Sequence, residues 1–134
     1  MAGIKGIEGI GETYGETLKA LGIRSKASLL EAGATKKGRA ALAAKSGLSE
    51  KLILEWVNRA DLYRVTGIGT QYADLLENAG VDTVVELAGR KAENLVEKMK
   101  LVNAEKKLVR QLPALSKVQD WVAQAKKLPR KVSY

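Results

Sequence analysis

The chain has no cysteine, no histidine and no phenylalanine. Without cysteine there is no disulfide framework, no thiolate nucleophile and no zinc finger. Without histidine the commonest general base and metal ligand is missing as well. Aromatic residues make up only 4% of the sequence. A core must therefore rest on Leu, Val, Ile and Ala, a set that favours helices over sheets. No apolar run approaches the roughly 20 residues that span a bilayer. The stretch Met1 to Gly11 has neither the apolar segment nor the cleavage site of a signal peptide. A cytoplasmic protein with no membrane partner is the expectation, and nothing points to a small-molecule substrate.

What is present is a chain of 134 residues, 46% apolar, with a net charge of +8. That is long enough for one compact domain or two very small lobes. The basic balance suits a polyanion partner such as nucleic acid, and it equally suits plain solubility. The charge is spread evenly, with +4 on residues 1–64 and +4 on residues 65–134. An acid-free basic stretch closes the sequence, with Lys126, Lys127, Arg130 and Lys131. A smaller cluster is formed by Lys36, Lys37 and Arg39, readable as a solvated helix start or as a phosphate contact.

Shifting the sequence by 58 positions reveals an internal repeat. Gly9-Ile10-Gly11 falls on Gly67-Ile68-Gly69, Tyr14 on Tyr72, Leu18 on Leu76, Gly22 on Gly80 and Leu29 on Leu87. Ile23 meets Val81 and Ser25 meets Thr83. A second echo, Glu55-Trp56-Val57 against Asp120-Trp121-Val122, is displaced by 65, which fits an insertion of seven residues around Leu101 to Pro113.

The repeated segments carry helical spacing. Tyr14, Leu18 and Leu21 fall on one helix face, as do Tyr72, Leu75, Leu76 and Ala79. Gly22 and Gly80 follow, placed to end those helices in the left-handed conformation. Thr83-Val84-Val85-Glu86 reads as a capping box, Ser25 opens the matching helix without the Glu, and Ser49 is the expected N-cap of a helix reaching about Arg64. Lys98 to Leu112 continues a helical pattern that Pro113 should end, and Val118, Trp121, Val122, Ala125 and Leu128 form a last apolar stripe before Pro129. Because Trp56 and Trp121 lie on such stripes, both are expected in the core rather than stacked on bases. The two Gly-Ile-Gly turns are expected to share one backbone. Glycine permits the positive φ or close approach that a tight corner needs. The helix that follows presents unpaired N–H groups and the positive end of its dipole, an anion site. Gly15 and Ala73, one turn in, are small enough for close helix packing.

The spacing of Ile4, Ile7, Gly9-Ile10-Gly11 and Gly15, repeated at Leu62, Val65, Gly67-Ile68-Gly69 and Ala73, resembles the helix-hairpin-helix family of non-sequence-specific DNA-binding modules. Over essentially its full length the chain resembles domain-of-unknown-function family 4332, small bacterial helix-hairpin-helix proteins. The stretches carrying that likeness are Glu8 to Gly11, Ser49 to Asp61, Tyr72 to Leu87 and Leu128 to Tyr134. The resemblance implies an all-α fold, a tandem helix-hairpin-helix repeat packed as a compact multi-helix domain. It divides the chain into a first repeat over 1–64 and a second over 65–134 with a basic tail. It also implies hairpin amides on duplex-DNA phosphates, often with a monovalent cation held by turn carbonyls and no other cofactor. The residues placed on DNA are Gly9, Ile10 and Gly11 in the first hairpin and Gly67, Ile68, Gly69, Thr70 and Gln71 in the second. Lys36, Lys37, Arg39, Lys126, Lys127, Arg130 and Lys131 would add electrostatic attraction.

This sequence departs from the DNA-binding pattern after the second glycine, where Lys or Arg is common. Here stand Glu12-Thr13 and Thr70-Gln71. Glu12 and Glu16 would repel a phosphate, so the second hairpin is the better candidate and the first looks like scaffold. The Gly-Pro-Asp loop of helix-hairpin-helix glycosylases is missing, since both prolines follow Leu, and no paired-carboxylate site stands out. The expectation is a non-catalytic protein. Two readings stay open: a non-specific duplex-DNA binder, and a helical protein-interaction or adaptor module that keeps the fold without the DNA role.

Overall fold

The computed structural model describes residues 10–133. Among these residues there are eight α-helices and no strand. None of the helices is long and apolar enough to cross a membrane. The chain forms two compact units. One runs to Asp61 and takes back the segment from Lys131, and the other is Leu62–Arg130. The first holds α1 (Gly11–Ala20), α2 (Lys26–Gly33), α3 (Lys36–Ser46) and α4 (Glu50–Leu62), the last up to Asp61. The second holds α5 (Thr70–Asn78), α6 (Val84–Ala88), α7 (Ala92–Lys106) and α8 (Leu115–Lys127).

The two units repeat the same local solutions. Helix α1 ends with Gly22 N–H donating to the Lys19 carbonyl at 2.9 Å and Ile23 N–H to the Leu18 carbonyl at 3.0 Å. Helix α5 ends with Gly80 N–H on Glu77 at 3.0 Å and Val81 N–H on Leu76 at 2.9 Å. Both are paired Schellman bonds around a left-handed glycine, φ +85° at Gly22 and +94° at Gly80. Leu18, Ile23 and Leu29 are buried, and so are Leu76, Val81 and Leu87 at the matching positions. Gly15 and Ala73 are both buried. Tyr14 stacks on Trp56 with ring centroids 5.1 Å apart and a 53° tilt. Tyr72 meets Trp121 at 5.3 Å and 55°. Both tryptophans lie in the core, as their spacing predicts.

Helix starts depend on side-chain caps. Ser25 and Ser28 form a reciprocal capping box at α2, so a second serine supplies what the missing Glu would have given. Thr83 Oγ1 accepts the Glu86 N–H at α6, at a longer 3.4 Å. Thr35 caps α3 and Ser49 caps the start of α4. In the second unit α6 and α7 pack on α8, and α5 packs on α7.

Helix α7 differs from its sequence expectation. It starts at Ala92 and stops at Lys106, well before Pro113. Lys107 takes the left-handed conformation at φ +51°. Asn103 explains the early stop. Its side-chain amide donates to the Val109 carbonyl at 3.1 Å and accepts the Val109 N–H at 3.0 Å. That two-way clamp folds the following loop back and buries Val109, satisfying backbone groups that would otherwise continue the helix.

Candidate nucleic-acid interface

The second Gly-Ile-Gly turn is built from three supports. Ile68 points into the core, with its N–H donating to the Val65 carbonyl at 3.2 Å. Gly67 has φ +102°, and a Cβ there would lie 2.9 Å from Trp121 Nε1. Glycine is thus required twice, by conformation and by contact with the indole. Gln124 on α8 then grips Thr66 from both sides, its Oε1 accepting the Thr66 N–H at 2.9 Å and its Nε2 donating to the Thr66 carbonyl at 3.0 Å. Asp120 holds the same amide at 2.9 Å. Sequence reading missed Gln124. Its spacing from Trp121 places it at the edge of the apolar stripe, and only the fold brings it to the turn.

Helix α5 starts directly after this turn. Its N-cap, Gly69, is extended at φ −100° and ψ −171° and has no side chain to accept an amide. Tyr63 donates its hydroxyl to Thr70 Oγ1 at 3.3 Å. Gly67, Gly69, Thr70, Gln71 and Tyr72 line an open cleft of about 400 Å³ at this helix end. Tyr72 closes one side, with its hydroxyl on the Gln111 carbonyl at 3.3 Å and the Lys117 ammonium 5.6 Å from its ring centroid. Lys117 is a cation beside the turn that sequence reading did not place there, because the fold alone brings the start of α8 next to Tyr72.

The first turn has a different backbone. Gly9 lies outside the described residues. Ile10 is buried, in the helical region at φ −79°, and the left-handed residue is Gly11 at φ +60°. In the second turn the left-handed residue is the first glycine, Gly67, and Gly69 is extended. The expectation of one shared backbone is therefore corrected. The position matching Gln124 in α4 is Arg59, and a guanidinium donates but cannot accept. The two-way grip on the turn is thus not available to the first copy. Glu12 and Glu16 are exposed beside that turn, with Glu16 3.8 Å from Lys19.

The cationic candidates separate. Lys36 and Lys37 are exposed at the start of α3. Arg39 is withdrawn from the surface, with 4% of its area accessible. Its guanidinium donates to the carbonyls of Gly33 at 2.8 Å, Ala34 at 3.2 Å and Ser133 at 2.7 Å, and so it is a structural cation. Lys126, Lys127, Arg130 and Lys131 are exposed. They do not form a loose arm, because Val132 is buried and the Ser133 N–H donates to the Ala34 carbonyl at 2.8 Å. Arg64 donates to the Pro129 carbonyl at 2.6 Å, fixing the chain just after α8.

The monovalent cation implied by the helix-hairpin-helix likeness fits this turn poorly. The carbonyls of Val65, Thr66 and Gly69 accept bonds from Ile68, Gln124 and Ala73 respectively. Three of the five carbonyls over residues 65–69 are thus already engaged within the protein.

Fold and turn together define an all-helical protein, among the described residues, with a supported glycine turn at a helix start. Residues 8–128 match the family described as Domain of unknown function (DUF4332), and the chain belongs to that family. No curated protein and no solved structure matches it.

Proposed function

We propose that this protein is a tandem helix-hairpin-helix module that binds duplex DNA along its phosphate backbone, without sequence preference and without catalysis. The second hairpin makes the contact. The repeat reading draws support from the paired Schellman corners, the matched buried positions and the two Tyr–Trp stacks. The observation that carries the DNA reading is the start of α5. It is a helix end with no capping side chain, set behind a rigid glycine turn, opening on a cleft with no acid among the described residues that line it. Such an end attracts an anion through its amides and its dipole. Thr70 and Gln71 add neutral donors, and the exposed lysines and arginines of the protein add long-range attraction.

Gly69→Asp tests this reading because its two effects have opposite signs. Position 69 has ordinary N-cap geometry, and a Cβ there meets nothing within 4 Å. An aspartate would cap the α5 amides and stabilise the protein by roughly a few tenths of a kcal/mol. It would also place a carboxylate where the phosphate sits, weakening binding to a labelled duplex on the order of tenfold in low salt. No binding by the wild type at tens of micromolar duplex in low salt overturns the proposal. A helical protein-interaction module is the competing reading, favoured by exposed Glu12 and Glu16 at the first turn. Sedimentation showing self-association that is indifferent to duplex DNA would support it instead.

A further inference from the structure

We infer that the outward face of α3 is a second phosphate-backbone surface, through which the first unit engages duplex DNA in place of its own acid-flanked turn. This rests on the DNA-binding reading above and extends it to a different element. Helix α3 has four cations and no acid. With Arg39 turned inward, Lys36, Lys37 and Lys45 remain, all exposed. At 3.6 residues per turn the order around the helix is Lys36, Ala40, Ala44, Lys37, Ala41, Lys45, covering about half its circumference. All six are exposed, while Leu42 and Arg39 close the opposite side.

Charge complementarity identifies the occupant. Among the described residues none of the three lysines is in an ion pair. Lys36 and Lys37 stand in the first turn, where the helix field favours acids and disfavours cations. The corresponding helix of the second unit, α7, has Glu93 in its first turn and a Glu97–Lys100 pair at 3.3 Å on its surface. Lys36 and Lys37 thus oppose their own helix, and among the described residues no acid pairs with them, a tension that an anion alongside relieves; Lys45, in the last turn, is compatible with the helix field and adds a third cation to the face. The alanines between them present nothing beyond Cβ, so a sugar-phosphate strand can reach the helix surface with ammonium groups on both sides. An acidic protein partner is disfavoured, because the face has no large side chain to anchor a protein interface. Repeating phosphates need only the point charges that lysines supply.

The test is anisotropy of a short labelled duplex across a salt series, using the full chain. In Lys36→Gln/Lys37→Gln/Lys45→Gln the slope of log affinity against log salt should fall by about two to three, as expected for that number of lost phosphate contacts. The equally charged control Lys91→Gln/Lys98→Gln/Lys100→Gln should keep the slope within about one of wild type. Ala44→Trp leaves the charge unchanged and blocks close approach, so its affinity should drop severalfold with helicity intact by circular dichroism. The inference is overturned if the α3 triple variant matches the control, if Ala44→Trp binds like wild type, or if polyglutamate competes as well as DNA of equal charge. If the wild type binds no duplex, the reading under Proposed function fails first and takes this one with it. A wild type that binds while the α3 variants are indifferent removes this inference alone.

Discussion

Glycines that look alike in the repeat do different work. Gly67 combines φ +102° with a Cβ position pressed on the Trp121 indole, while Gly69 has an ordinary φ and open space around it. Gly67→Ala should therefore destabilise by about 1–3 kcal/mol through backbone strain, and the displaced indole adds to that cost. Gly69→Ala removes a tolerated N-cap and should cost less, about 1 kcal/mol. Urea unfolding followed by tryptophan fluorescence separates the two. Equal midpoints for the two variants would refute the assignment of Gly67 as the structural glycine. Side-chain chemistry decides the arginines in the same way. Arg39 reads from sequence as one of three surface cations, yet it is the member that folds inward, because the carbonyls left open at the end of α2 need a donor. Nothing in the spacing of Lys36, Lys37 and Arg39 marks which one that is. Its partner Ser133 lies 94 positions away in the chain.

Helices and their caps were largely legible, since caps and periodicity are local. Ser25, Thr83 and Ser49 all cap as their positions imply, and Gly22 and Gly80 end their helices. The end of α7 was not legible, because it is set by the Asn103 clamp on Val109, a contact made only once the loop has folded back. The Gln124 grip on the second turn was hidden for the same reason. Helix α6 carries a pH signature of its own. Burial, followed by the nearby Asp82 carboxylate, pushes the Glu86 carboxyl up from its ordinary range, against the Asp82 amide and Arg90, which pull it down. A carboxyl raised on folding contributes stability that is present below its unfolded pKa and lost as pH rises through its folded pKa. Ionised Glu86 therefore opposes folding at neutral pH. Glu86→Gln, uncharged throughout, should raise the melting temperature slightly at pH 7. That gain should shrink to nothing below the usual glutamate range. A gain that persists at pH 3 would contradict this origin.

At the scale of the whole molecule, the path of the chain was not legible in the sequence. The repeat implies two consecutive halves, but the segment following α8 goes back to the first unit. The reason is chemical. Helix α2 ends in carbonyls that need donors, and both the Ser133 N–H and the Arg39 guanidinium converge on Ala34. Ser133 in turn accepts from Arg39, and Val132 is buried beside them. The strap is thus part of the first unit's cap, and its exposed Lys131 has a fixed station there. Truncation after Arg130 removes the Ser133 N–H and one of the three acceptors of a buried cation. A hydrogen bond to a charged group is worth about 1.5–3 kcal/mol, and loss of the buried Val132 side chain adds about 1.5–3 kcal/mol more as an upper bound. Hydrogen exchange locates the effect without requiring the units to unfold separately. Amides at the α2–α3 corner, such as that of Arg39 on the Thr35 carbonyl, should exchange on the order of tenfold or more faster. Those of α5 and α6 should change less. Arg39→Lys should reproduce part of the loss, because an ammonium lacks the planar fork that reaches carbonyls on two segments at once. Unchanged protection at this corner in both variants would show that the strap rests on the first unit without closing it.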